Sequence, residues 1–117
     1  MAINSARMQN TLQKLAEFGA LPEGGISRLT YSKEFMQAQE YLQQEMQAIG
    51  MTTEVDAAGN LIGTLQGTQP QLSPVMSGSH LDTVPHGGNF DGALGIVAAL
   101  EVARSWQEEG YVPKACR

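Results

Sequence analysis

The stretch that most restricts this chain's architecture is "LSPVMSGSHLDTVPHGGNFDGALGIVAALEVARSWQEEG", residues 72–110. A short apolar run ending in small residues passes into a glycine-rich loop, and the loop into a helix rich in alanine and leucine. The spacing predicts a buried strand over about 73–79 and a helix over about 92–108, with Leu94, Val97, Leu100 and Val102 facing inward and Gly110 ending it. A strand, loop and helix in that order belong to an α/β layer structure, in which ligands bind outside the carboxyl ends of the strands.

The preceding residues fit that class. Residues 4–19 read as a helix with Met8, Leu12 and Leu15 on one face and Gly19 as the stop. Pro22 and the Gly24-Gly25 pair mark a loop. Ser32 is placed to cap a second helix over about 33–49, Glu34 suits its first turn, and Gly50 suits its left-handed end. Phe35, Leu42, Met46 and Ile49 share its apolar face. "MTTEVDAAGNLIGTLQG" then reads as two strands, about 52–56 and 60–66, around a Gly59-Asn60 turn. One small domain over 1–117, or part of a larger one, with no second domain, is the expected organisation.

Charge and cysteine usage narrow the function classes. Twelve acidic and seven basic residues leave a formal net charge of −5, and the basic residues form no stripe suited to nucleic acid or an anionic membrane. The single cysteine, Cys116, rules out an internal disulfide framework and fits a reducing compartment. No apolar run is long enough to span a bilayer, and no signal peptide is visible at the N-terminus, so a cytoplasmic protein is expected.

Chemistry concentrates in residues 77–92, which hold both histidines, two aspartates and four glycines but no lysine or arginine. In an extended segment His80 and Asp82 point to the same side, so the carboxylate can orient the imidazole while it binds a metal. Asp91, at the start of the last helix, can reach the same crevice and offers two oxygens that can bridge two cations. Taken alone, a histidine two residues before an aspartate is equally compatible with a polar turn and a capping carboxylate. His86 follows Pro85 in a turn and reads as a solvated loop histidine, and Asn89 as a turn residue. Glu108-Glu109-Gly110 closes the last helix and reads as a solvent-facing pair. Trp106 reads as a packing residue.

"GSHLDTVPHGGNFDGALGIVAALEV" resembles the metal-binding segment of the amidase/hydantoinase/carbamoylase branch of the M20 metallopeptidase-like family. "GGISRLTYSKEF" and "DAAGNLIGTLQGT" resemble that family's segment after its first helix and its strand pair, so the likeness covers residues 5–105 and is lost from about 111 onward. The resemblance implies the N-terminal part of a three-layer α/β/α zinc-peptidase-like catalytic domain, without its later strands and lid or dimerisation domain. It implies a hydrolase of carbon–nitrogen bonds other than peptide bonds, of N-carbamoyl-L-amino-acid or allantoate type. By this resemblance His80 is a ligand of one divalent metal, Asp91 bridges two, and Asp82 is the acid that orients or polarises the histidine. The two metals (Zn, Mn, Co or Ni) hold and activate a water, which attacks a carbamoyl or amidine carbon with a glutamate as general base. The family's acidic pair lies further along than Glu108-Glu109, so a truncated and inactive chain is expected. The resemblance further implies a small ureido or carbamoyl substrate and a homodimer whose contact surface lies in the absent domain. An aminoacylase or dipeptidase fragment of the same family, and a non-catalytic binding or oligomer-forming remnant, are the alternatives.

Overall fold

The structure, a computed structural model, describes residues 1–116. Helix α1 spans Ser5–Glu17, α2 Lys33–Ala48 and α3 Ala93–Glu109, with strands β1 Thr52–Val55 and β2 Leu61–Thr64 between α2 and α3. The class is α/β. Asn4 rather than a helical residue starts α1, because its side-chain oxygen accepts the Arg7 N–H at 3.0 Å. Ser32 caps α2 in the same way through the Phe35 N–H. Gly50 and Gly110, at φ +84° and +69°, end α2 and α3 in the left-handed region that disfavours other residues.

The two strands pair antiparallel in the register Thr52↔Thr64 to Val55↔Leu61, and both are shorter than the residue pattern suggests. Asp56 and Asn60 are consumed by the turn. The Asp56 carboxylate accepts the N–H groups of Ala58 and Asn60 and the Asn60 side-chain amide. Those bonds hold the Asp56 carboxyl below its usual pKa, the Asn60 side chain first among them.

The expected third strand over 73–79 forms no ladder among the described residues; the segment is extended and exposed. A strand exists only through a neighbour's hydrogen bonds. Here one main-chain bond, from the Val75 N–H to the Cys116 carbonyl at 3.1 Å, replaces a ladder. The residues just before it are tied to the chain's far end as well, through Thr68 to Pro113 and Gln69 to Lys114. Leu72, Val75 and Met76 are correspondingly open to solvent.

The core lies between the helices, where Leu12 and Leu15 of α1 meet Ala38 and Leu42 of α2 and Ala93, Val97 and Leu100 of α3. Leu94 was expected inward but is 44% exposed, and Val102 is only half-buried. The buried stripe of α3 instead continues through Glu101, Ala103, Arg104 and Ser105. Glu101 is fully buried because α1 brings a cation to it: Arg7 donates to its carboxylate at 2.8 and 2.6 Å, and the Asn4 N–H at 2.9 Å. Arg104 reaches across to Thr11 of α1 and Glu45 of α2. Polar side chains thus clamp the three helices around the apolar cluster, and among the described residues no buried side-chain N or O lacks a partner.

Candidate metal centre

His80, Asp82 and Asp91 come together at the N-terminal end of α3. The His80 ring stands between the two acids: Nδ1 lies 3.0 Å from the Asp82 backbone oxygen and 3.3 Å from its carboxylate, and Nε2 lies 3.5 Å from Asp91 Oδ2. A carbonyl oxygen can only accept, so this contact favours the neutral tautomer with its proton on Nδ1, which leaves Nε2, on the Asp91 side, as the nitrogen able to bind a metal. Imidazole presents that nitrogen to a metal when a backbone carbonyl holds the other one.

The donor set fits a divalent ion. Two ligands bonded at about 2.0–2.2 Å with a tetrahedral angle at the metal stand about 3.4 Å apart, close to the 3.5 Å between Nε2 and Asp91 Oδ2. Asp91 is largely solvent-exposed and His80 half so, which leaves the approach open. Among the described residues no group of three or more His, Cys, Asp or Glu side chains surrounds one position.

A residue that spacing alone overlooks makes the arrangement possible. Gly92 sits at φ +75° directly before α3, and a Cβ there would lie 2.3 Å from the His80 carbonyl oxygen and 2.5 Å from its ring. The ring packs where a side chain would otherwise be, and the Asp-Gly pair opening an apolar helix is the signal that could have found it. Gly95 serves the same end one turn on, where a Cβ would meet Ser79 at 2.8 Å.

The other polar groups lie elsewhere. His86 occupies the left-handed region at φ +55° in the turn after Pro85, and its Nε2 is 3.1 Å from Glu23, with both side chains exposed. Glu108 pairs with Arg7, and Glu109 accepts the Ala2 N–H at 2.9 Å and lies 3.4 Å from the terminal ammonium. Both acids fasten the N-terminal segment to α3 instead of facing His80. Replacing both by glutamine is expected to leave a zinc titration of the protein unchanged, which calorimetry checks directly. Trp106 stacks at a tilt on Tyr111, with ring centroids 5.2 Å apart.

The model of peptidase family M28 matches residues 60–115. The relatives and solved structures are of the hydantoinase/carbamoylase kind that the residues resemble. A hydantoinase/carbamoylase family amidase from Burkholderia ambifaria superposes with a TM-score of 0.95 at 40% identity, over 97% of this chain and 28% of that one. Over nearly all of its length, this chain is similar to the hydantoinase/carbamoylase amidases. The N-carbamoyl-L-amino acid amidohydrolase of Geobacillus stearothermophilus is 42% identical over 110 residues, 94% of this chain and 27% of that protein. The allantoate amidohydrolase of Bacillus subtilis is 42% identical over 103 residues, 88% and 25% respectively. The chain therefore spans about a quarter of the length of these amidases. Among the described residues no helix is long and apolar enough to cross a membrane.

Proposed function

We propose that this chain supplies one edge of the metal centre of an amidohydrolase that cleaves carbon–nitrogen bonds in small carbamoyl or ureido compounds. The observation that carries the reading is the His80 ring, fixed through Nδ1 by Asp82 with Nε2 turned towards Asp91 at 3.5 Å. A divalent metal bound there supplies Lewis-acid polarisation and a water acidified towards neutrality. His80 and Asp91 would hold the ion, and Asp82 would fix the imidazole's orientation. Zinc, manganese, cobalt and nickel all suit an imidazole–carboxylate pair. Two protein ligands leave a shell open, so hydrolysis requires groups beyond those gathered at His80. The substrate class, a homodimer and a cytoplasmic location belong to the same proposal. The M28 match favours a second reading, in which the bond cleaved is a peptide-type amide.

Calorimetric titration of the metal-free protein with Zn²⁺ and Mn²⁺ tests the reading. One weak site is expected, and His80→Ala should weaken it by more than about a hundredfold, since loss of an outer-shell partner alone costs about 10–100-fold. Binding that ignores His80 overturns the assignment.

A further inference from the structure

Arg28 is 1% exposed, and neither the resemblance nor the proposed metal chemistry uses it. It is a buried cation with no carboxylate among the described residues hydrogen-bonded to it. Among those residues its guanidinium donates to carbonyls alone: Nη1 to Leu15 and Phe18 at the C-terminal end of α1, at 2.7 and 2.9 Å, and Nε to Leu81 at 2.9 Å. Burial pulls its pKa below the ordinary value, while the Asp82 carboxylate acts in the opposite direction. The negative end of α1's dipole favours a cation at that place. The Arg28 main chain is engaged with the same loop. Its carbonyl accepts the Thr83 N–H at 2.8 Å, and its N–H donates to Thr83 Oγ1 at 2.9 Å. Thr83 Oγ1 passes its own proton to the Ile26 carbonyl at 3.0 Å, and Ile26 exchanges two main-chain bonds with Gly87.

These bonds converge on Asp82. The side chain of Arg28 holds the peptide unit before Asp82, through the Leu81 oxygen. The main chain of Arg28 holds the unit after it, through the Thr83 N–H. That second unit also carries the Asp82 oxygen, 3.0 Å from His80 Nδ1. We propose that Arg28 is a positioning residue for His80: it grips both peptide units flanking Asp82 and so keeps the oxygen that fixes the imidazole proton on Nδ1 in place. The inference rests on His80 as the metal-facing group. It deepens that reading by linking the end of α1, through one buried arginine, to the nitrogen offered to the ion.

Long-range ¹H–¹⁵N spectra of the metal-free protein at about pH 8, where an ordinary imidazole is neutral, report the tautomer, with His86→Gln assigning the two rings. The wild type should show His80 as the Nδ1–H form alone; the Nε2–H form, or an even mixture, overturns the proposal without any variant. Arg28→Lys keeps the charge but cannot span three carbonyls. It should turn the His80 signals into a tautomer mixture and weaken zinc binding by about tenfold. Arg104→Lys is the comparison, a buried arginine bound to Thr11 and Glu45 and outside the loop. It should lower the melting midpoint yet leave the His80 spectrum and zinc affinity unaltered. A His80 spectrum in folded Arg28→Lys matching wild type overturns the inference, as does an equal change in Arg104→Lys. If Arg28→Lys does not fold, Thr83→Val, which removes the Oγ1 that accepts the Arg28 N–H and donates to the Ile26 carbonyl, must produce the same tautomer mixture or the inference fails. Should zinc bind no variant at all, the metal reading fails while the spectra still decide the role of Arg28.

Discussion

Arg7→Met should cost the protein about 3–5 kcal/mol, the usual consequence of stranding one member of a buried ion pair. Glu101 is the stranded group: it is fully buried, and without Arg7 it keeps only the Asn4 N–H at 2.9 Å and a 3.4 Å contact with Ser105 Oγ. For a domain near this size each kcal/mol moves the melting midpoint by roughly 4–8 °C, so the variant should be far less heat-stable than the parent. Its pH dependence should change sign. In the native protein the Arg7 hydrogen bond holds the Glu101 carboxyl below its ordinary pKa. That stability is fully present above the unfolded value, about 4.3, and is lost as pH falls through the folded one. Without Arg7 the carboxyl loses the largest cause of that lowering and faces the opposing effect of burial, so the deficit of Arg7→Met should shrink as pH is lowered from neutrality towards 4.5. Urea melts of both proteins at the two pH values measure it. A deficit that grows on acidification would show that the pair is not what holds Glu101 ionised.

Gly92→Ala should damage fold and site together. At φ +75° and ψ −55° an alanine bears a backbone strain of about 1–3 kcal/mol. Its methyl would also lie 2.3 Å from the His80 carbonyl oxygen and 2.6 Å from Nδ1. Backbone has to move, and the loop carrying His80 is exposed where α3 is packed, so the loop should yield. Zinc affinity is then expected to fall to the level of His80→Ala, with a lowered melting midpoint. Gly88→Ala, a few residues away with no heavy atom within 4 Å of the new methyl, should change neither. Calorimetry and thermal denaturation of the two variants side by side check this; unchanged zinc binding in Gly92→Ala would mean that the ring does not need the space.

The helices were legible because their signals are local. Ser32, Gly50 and Gly110 act within a turn of the residues they cap or end, and the apolar spacing of α1 and α2 repeats over several turns. The strand expected over 73–79 was not, because pairing depends on a neighbour and the composition of the segment carries no information about one. Leu94 failed for a related reason: periodicity finds an apolar stripe but does not say which side of α3 the other helices cover. Residues 80, 82 and 91 lie close enough along one loop for their meeting to be read from spacing. Arg28 does not: it acts on Leu81 from 53 residues away, and nothing near it in the chain distinguishes it from a surface cation.

The sequence by itself determined what depends on neighbours in the chain: three capped or stopped helices, a hairpin turning at Gly59-Asn60, and a loop holding one imidazole between two carboxylates. Only the tertiary structure decided what depends on contacts made across the fold. It buried Glu101 against Arg7, closed Gly92 against the His80 ring, and set Arg28 on the two peptide units that orient that ring. Conformational preference acts over a few residues, whereas burial and distant hydrogen bonds arise only when the chain has closed on itself.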